Sequence, residues 1–528
     1  MGIRGGLLCA VVAAWGLAGC GSDSPTATVA SATTRGTLVA NPPFRIASLN
    51  AADFGSQLGA TSQGQQLLQL TGKPTCGVDF YYLKFWTVDA ENSATESSGA
   101  LMVPTGSGAA CSGPRPIVLY AHGTDTDKTL NIADITNTAN TEGALIAAMF
   151  AAQGYIVVAP NYAGYDISTL GYHPFLNATQ QSAEMMDILA AARAGLPNTL
   201  ASATSDSGTL FITGYSEGGF VAMATLRAME AAKQKVTGAA PMSGPYALEA
   251  FGDALIYGNV NIGSTVFSPL LTTSYQHAYG DIYSATTDVY SSTYASGIDT
   301  LLPSATPLAT LFQTGKLPQT ALFDSTTPVV TVPGNPTLSA ELTAALMVPA
   351  NPLFAAGFGS PYLINNNYRV SYALDAAADP DGAVPTPMAG VPLAAAPPQQ
   401  PLRKAFYLND MRNGSWAPTV PTLMCGGNQD PTVFFSVNTL TMATFWSTLP
   451  LPAGLINVLD VDAATPAGPF QAIQVAFKTS QANLLQFYES AAGGGLSPQA
   501  AAQQVIENYH GNVAPFCSLA ARSFFSQL

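Results

Sequence analysis

The stretch Leu210-Phe211-Ile212-Thr213-Gly214-Tyr215-Ser216-Glu217-Gly218-Gly219 decides the fold. Its apolar start has the composition of a buried strand, and Phe220 to Glu230 after it carries the apolar spacing of a helix. Between them lies a G-x-S-x-G, in the strand–turn–helix setting that lifts a serine hydroxyl out of a sharp bend. Gly214 and Gly218 leave room where a Cβ would collide with neighbouring backbone, and Ser216 is expected to hold a strained conformation. With 48 glycines in 528 residues, such a pattern arises by chance in about one chain of three this size. A plain structural turn is therefore the competing reading, and the partners of the serine have to decide.

Outward from this elbow the pattern is one of strands and helices in alternation. Phe80–Val88 and Gly99–Pro104 read as early antiparallel strands, and Pro116–Ala121 and Tyr155–Pro160 as continuous apolar runs buried on both faces. A helix is expected over Ala144–Gln153, stopped by Gly154, and a longer one over Ala178–Ala194. Val236–Met242, Thr422–Cys425 and Ile456–Val461 complete the strands, and Pro498–Asn508 reads as a helix leading into a Tyr509-His510-Gly511 loop. Alternation of this kind predicts an α/β fold, with a mostly parallel central sheet and helices on both faces. From 248 to 402 the alternation stops, Pro and Gly are frequent, and a large cap insertion over the C-terminal edge of the strands is expected. Tyr275, Tyr279, Tyr283, Tyr290 and Tyr294 recur at helical spacing there, which favours packing of cap on sheet over substrate contact.

A serine hydroxyl is protonated at neutral pH, so it needs a histidine as base, and the histidine a carboxylate to set its tautomer. The chain has four histidines, His122, His173, His277 and His510. In this fold class the chain order is serine, acid, histidine. Only His510 follows both Ser216 and a strand-end acid; His173 reads as loop packing and His277 as cap surface. Asp430, just beyond a buried strand and after Gly426 and Gly427, is the preferred acid, with Asp460 and Asp462 as rivals. The oxyanion of a tetrahedral intermediate needs backbone donors. The Glu217 N–H at the start of the elbow helix is one, and the His122-Gly123-Thr124 turn supplies the other, Thr124 first and Gly123 as the alternative. His122 would orient that turn.

These segments carry a family likeness. Tyr120-Ala121-His122-Gly123-Thr124, Ala159-Pro160-Asn161-Tyr162-Ala163-Gly164, Gly214-Tyr215-Ser216-Glu217-Gly218-Gly219 and Gly426-Gly427-Asn428-Gln429-Asp430-Pro431 resemble the α/β-hydrolases, and more narrowly the bacterial and fungal secretory lipases and esterases. The resemblance covers most of residues 110–245 and resumes around 420–432; Asn161 stands where that family commonly has Asp. It implies the α/β-hydrolase fold and hydrolysis of carboxylic esters through an acyl-enzyme, with no metal and no organic cofactor. A serine peptidase of the prolyl-oligopeptidase type would share fold and triad, although the region before residue 80 is too short for a β-propeller. A non-catalytic lipoprotein that keeps the fold for binding is the reading from another class.

Composition and the N-terminus bound the setting. Residues 1–19 combine one arginine, a short apolar run and small residues, as a signal peptide does, and Leu17-Ala18-Gly19-Cys20 resembles a bacterial lipobox. That implies lipid attachment at Cys20, and Gly21 after it favours the outer membrane; residues 20–45 read as a flexible tether. The core is expected over 46–247 and 403–528, on either side of the cap. Only 9% of residues are charged and the net charge is −14, which argues against a nucleic-acid partner and leaves a small-molecule or lipid ester, with membrane contact through the anchor only. Four cysteines remain beyond Cys9 and Cys20, and in an exported chain they suggest two disulfides with three possible pairings. Cys76–Cys111 and Cys425–Cys517 are favoured, because the first would bracket two adjacent strands and the second would fasten the C-terminus beside the loop of Asp430. No CxxC or histidine cluster supports a metal site.

Overall fold

The computed structural model describes residues 34–137, 139–201, 203–381, 397–414 and 416–528. The expected signal peptide, Cys20 and the tether up to residue 33 lie outside the described residues, as do 382–396 of the cap. The sheet opens with a strand that local pattern did not reveal, Phe44–Leu49 (β1), followed by Ala51–Gly59 (α1), Ser62–Thr71 (α2), Gly77–Val88 (β2) and Ala94–Thr105 (β3). β1 covers β2 only as far as Tyr82. Residues 34–43, assigned to the tether, continue along the same edge: the Gly36 N–H donates to Trp86 O and the Val39 N–H to Lys84 O, each at 2.8 Å. The tether reading fails there because an uncovered strand edge leaves backbone groups to be paired, and this segment pairs them.

The remaining strands are Gly113–Ala121 (β4), Ile156–Pro160 (β5), Thr204–Tyr215 (β6), Gly238–Met242 (β7), a two-strand pair in the insertion, Phe323–Asp324 (β8) and Phe358–Gly359 (β9), then Thr422–Gly426 (β10) and Ile456–Asp460 (β11). The main sheet runs β1-β2-β3-β5-β4-β6-β7-β10-β11. It is antiparallel from β1 to β5 and parallel from β5 onward. Alternating side chains of β4 feed two cores, Ile117, Leu119 and Ala121 on one face, Val118 and Tyr120 on the other. The first face is covered by Ala178–Gly195 (α4) and Glu217–Ala231 (α5), the second by α2, Thr141–Met149 (α3) and the C-terminal helix. A buried run without polar alternation is what two covered faces demand. α3 stops at Met149 and a short turn, Ala151–Gln153, leads to Gly154 at φ 93°. Asn177 caps α4 by accepting from the Gln180 N–H.

Residues 243–421 lie between β7 and β10 and hold Leu248–Ile256 (α6), Ser264–Tyr279 (α7), Thr286–Val289 (α8), Leu308–Gln313 (α9), Pro336–Ala345 (α10), Pro352–Ala355 (α11), Asn366–Ala378 (α12) and Pro401–Asn409 (α13). The boundary expected at 402 falls inside α13. That helix belongs with the insertion, because its buried Arg403 pairs with Asp253 and Glu249 of α6 and with Asp375 of α12. Leu270, Tyr275 and Tyr290 share one apolar cluster with Leu119 and Val158 of the sheet, so the insertion and the sheet have a common core. The tyrosines do not form a single stripe: α7 ends at Tyr279 with Gly280 at φ 75°, and Tyr290 and Tyr294 follow in separate turns. Tyr275, Tyr290 and Tyr294 are buried in packing.

Thr441–Ser447 (α14) lies between β10 and β11, and Gln471–Glu489 (α15), Pro498–Glu507 (α16) and Tyr509–Phe525 (α17) follow β11. His510 therefore stands in the first turn of a helix and not in a loop. Tyr509, Val513, Phe516, Cys517 and Ala520 place one apolar face of α17 on the sheet, and that face continues the helix through His510. Disulfides join Cys76 to Cys111 around the β2–β3 hairpin and Cys425 of β10 to Cys517 of α17. Among the described residues no helix is long and apolar enough to cross a membrane, and no group of three His, Cys, Asp or Glu side chains could hold a metal ion.

Candidate active site

β6 ends at Tyr215 and α5 starts at Glu217, which leaves Ser216 alone to make the turn at φ 60°, ψ −121°. A non-glycine residue there is strained, and the surroundings hold it: the Ser216 N–H donates to Met242 O at 3.0 Å. The flanking glycines are required by approach distance. A Cβ on Gly214 would lie 2.3 Å from Gly218 O, and one on Gly218 would lie 1.9 Å from Ala121 O.

The Ser216 Oγ lies 2.8 Å from His510 Nε2, and His510 Nδ1 lies 2.6 Å from Asp430 Oδ2. The other carboxylate oxygen, Oδ1, accepts from the Thr432 N–H at 2.9 Å and the Val433 N–H at 3.0 Å. A carboxylate can only accept, so the proton of His510 sits on Nδ1 and Nε2 is left as the acceptor for the serine hydroxyl. Tyr215 donates its hydroxyl to the His510 carbonyl and braces the first turn of α17. The rival acids are occupied nearby. Asp460 accepts from the Asn428 N–H and side-chain amide and from the Asp462 N–H, and Asp462 accepts from the Tyr509 hydroxyl at 2.9 Å. They hold the turn before Asp430 and the residue before His510.

The Glu217 and Thr124 backbone N–H groups have no hydrogen-bond partner among the described residues, and both residues line the cavity at Ser216. Gly123, the alternative donor, is excluded by geometry: its N–H donates to both Glu142 oxygens, at 3.1 and 3.2 Å. Glu142 also accepts the Tyr120 hydroxyl at 2.7 Å. Burial pushes its carboxyl up, while His122, the Tyr120 hydroxyl and the Gly123 N–H pull it back. His122 lies 2.6 Å from Gly123 O and 3.1 Å from Asn161 O, and so pins the Thr124 turn to the loop after β5. His277 stacks on Tyr172 at 3.7 Å on the surface of the insertion. His173, read as loop packing, is buried and reaches Glu217 Oε1 at 2.6 Å. Neither Glu142 nor the Glu217 side chain was singled out in the sequence, since nothing local distinguishes a buried glutamate from a solvated one.

A cavity of about 120 Å³ leads from Ser216 into the insertion, and its walls are apolar, with Phe175, Leu176, Leu248, Phe251, Phe267 and Leu271 among them. The fold has solved counterparts. A rice cell wall degrading esterase from Xanthomonas oryzae superposes with a TM-score of 0.59 at 23% identity, covering 81% of this chain and 91% of that one. A structure from Legionella pneumophila superposes with 0.59 at 16% identity over 92% and 96%. The chain has the α/β-hydrolase fold. Within this fold, residues 143–243, from α3 through the elbow to β7, match the model of the prolyl oligopeptidase family. No curated protein matches the sequence.

Proposed function

We propose that the protein is a serine hydrolase of carboxylic esters, an esterase or lipase of the secretory type, working through an acyl-enzyme. The observation that carries the reading is the hydrogen-bonded chain Ser216–His510–Asp430, 2.8 and 2.6 Å long, at the mouth of an apolar cavity. Ser216 Oγ attacks the ester carbonyl as His510 Nε2 takes its proton, and Asp430 stabilises the resulting imidazolium. The carbonyl oxygen becomes an oxyanion and accepts from the Glu217 and Thr124 N–H groups, the first aided by the α5 dipole. His510 then protonates the leaving alkoxide, and water repeats the sequence on the acyl-enzyme. Apolar walls favour an alkyl or aryl acyl group, whose burial contributes about 0.8 kcal/mol per methylene. The expected roles use no cofactor, and the partner is a small-molecule or lipid ester.

A peptidase is the second reading, favoured by the match of residues 143–243 to the prolyl oligopeptidase family. The described residues before β2 make one strand and two short helices, which is not a propeller. Labelling with a fluorophosphonate, followed by rates on p-nitrophenyl acyl esters and on peptide anilides, separates the readings. Absence of a label on Ser216 in folded protein would favour a binding role; faster cleavage of anilides would favour the peptidase. The setting belongs to the same proposal: export with processing before Cys20, lipid attachment there, and residence at the outer membrane, for which the two disulfides are the supporting observation. Cys20→Ser should release the protein from the membrane fraction.

A further inference from the structure

One buried pair of side chains beside Ser216 has no part in the chemistry above. The side chains of His173 and Glu217 are 0% and 1% exposed, and His173 Nε2 lies 2.6 Å from Glu217 Oε1. The Gln181 side-chain amide donates to the same oxygen at 2.6 Å. His173 Nδ1 faces the Ala163 carbonyl at 2.9 Å, so both ring nitrogens face oxygen atoms. Tyr162 and Tyr165 pack on the imidazole, with centroids 5.4 and 4.9 Å away. Two features connect the pair to function. Glu217 carries the free N–H at the start of α5, and the next two residues, Gly218 and Gly219, have no side chains with which to brace that turn. His173 stands just before Phe175 and Leu176, which wall the cavity.

Building on the ester-hydrolase reading, we propose that the His173–Glu217 pair, braced by Gln181, is a positioning device: it aims the Glu217 N–H at the oxyanion and ties that donor to the cavity wall at Phe175 and Leu176. His173 and the Glu217 carboxyl act through the N–H and are positioning residues. A misplacement of about 1 Å costs on the order of 100-fold in rate, so the pair governs kcat more than substrate affinity.

The test uses full-length protein, with kcat counted per site titrated by a fluorophosphonate, on p-nitrophenyl esters of short and long acyl chains. Glu217→Ala is expected to lower kcat about 30- to 100-fold with KM within about threefold, and Glu217→Gln to recover most of the loss. His173→Phe keeps the ring packing and loses the nitrogen; it should match Glu217→Ala, and the double variant should fall no further. A loss of titrated sites at unchanged kcat per site would mark a purely structural pair and overturn the proposal, as would kcat within about threefold of wild type in both single variants. If these variants do not fold, Gln181→Leu, which strands no charge, decides: kcat falling about fivefold or more at unchanged KM supports the device, and unchanged kcat overturns it. A wild-type protein that neither labels nor turns over esters would refute the underlying ester-hydrolase reading instead, which distinguishes the two failures.

Discussion

Replacing Asp430 by Asn changes one atom and should nearly abolish turnover, for a reason visible in the hydrogen bonds. The amide has one acceptor and one donor end. Asp430 Oδ1 receives two buried backbone N–H groups, from Thr432 and Val433, while Oδ2 is hydrogen-bonded, among the described residues, to His510 alone. Turning the NH₂ toward those two donors would strand both, at roughly 1–3 kcal/mol each. The amide oxygen therefore takes the Oδ1 place, and the NH₂ donates to His510 Nδ1. His510 is then driven into the tautomer with its proton on Nε2, 2.8 Å from Ser216 Oγ, where it cannot accept the serine proton. The same tautomeric fault in a serine protease lowers kcat about 10⁴-fold, which corresponds to about 5.5 kcal/mol of barrier. The assay is initial-rate hydrolysis of p-nitrophenyl butyrate, with circular dichroism to establish folding. Asp430→Asn retaining kcat within tenfold of wild type would refute the account of the triad.

Leu271→Trp fills the cavity wall and should cut kcat/KM for decanoyl esters at least tenfold more than for acetyl esters, measured as a ratio across acyl lengths. The Cys425–Cys517 bridge closes a separation of 92 residues, for which the chain-entropy relation gives about 4.6 kcal/mol. Cys425→Ser/Cys517→Ser should lower the urea midpoint accordingly, and an unchanged midpoint would mean the loop is held by packing alone. Burial, with Asp381 adding and Arg403 opposing, pushes the Glu249 carboxyl up to about 9. A folded value raised above the unfolded one contributes stability that is complete below the unfolded value, near 4.3, and is lost as pH rises through about 9. Melting temperature should therefore fall between pH 6 and 9, and Glu249→Gln should flatten that fall; equal slopes in both proteins would remove Glu249 as its source.

Some of this molecule is written in local pattern. Strand runs such as Pro116–Ala121 are apolar without alternation because both faces are covered, and that requirement can be read from six residues. The elbow is legible for a similar reason: the close approach of Gly218 to Ala121 O forbids any side chain. With four histidines and a fixed chain order, elimination also led to His510, which the fold brings within hydrogen-bonding distance of Ser216 and Asp430. Cysteine count left three pairings possible, and the favoured one, Cys76–Cys111 with Cys425–Cys517, is the one the fold forms.

Tertiary structure decided the rest. β1 and residues 34–43 carry a weak strand pattern, and they pair because β2 offers an open edge. Sequence placed Thr124 ahead of Gly123 as a backbone donor without a reason visible locally, and the fold supplies one: Glu142, 19 residues on, takes the Gly123 N–H. Glu217 and His173 meet across 44 residues, and the cavity wall is assembled from the loop before α4 and from α6 and α7. Periodicity and steric exclusion act between neighbours and so leave a mark on the residues themselves. A hydrogen bond between distant segments depends on where both arrive in space, and neither segment alone carries that information.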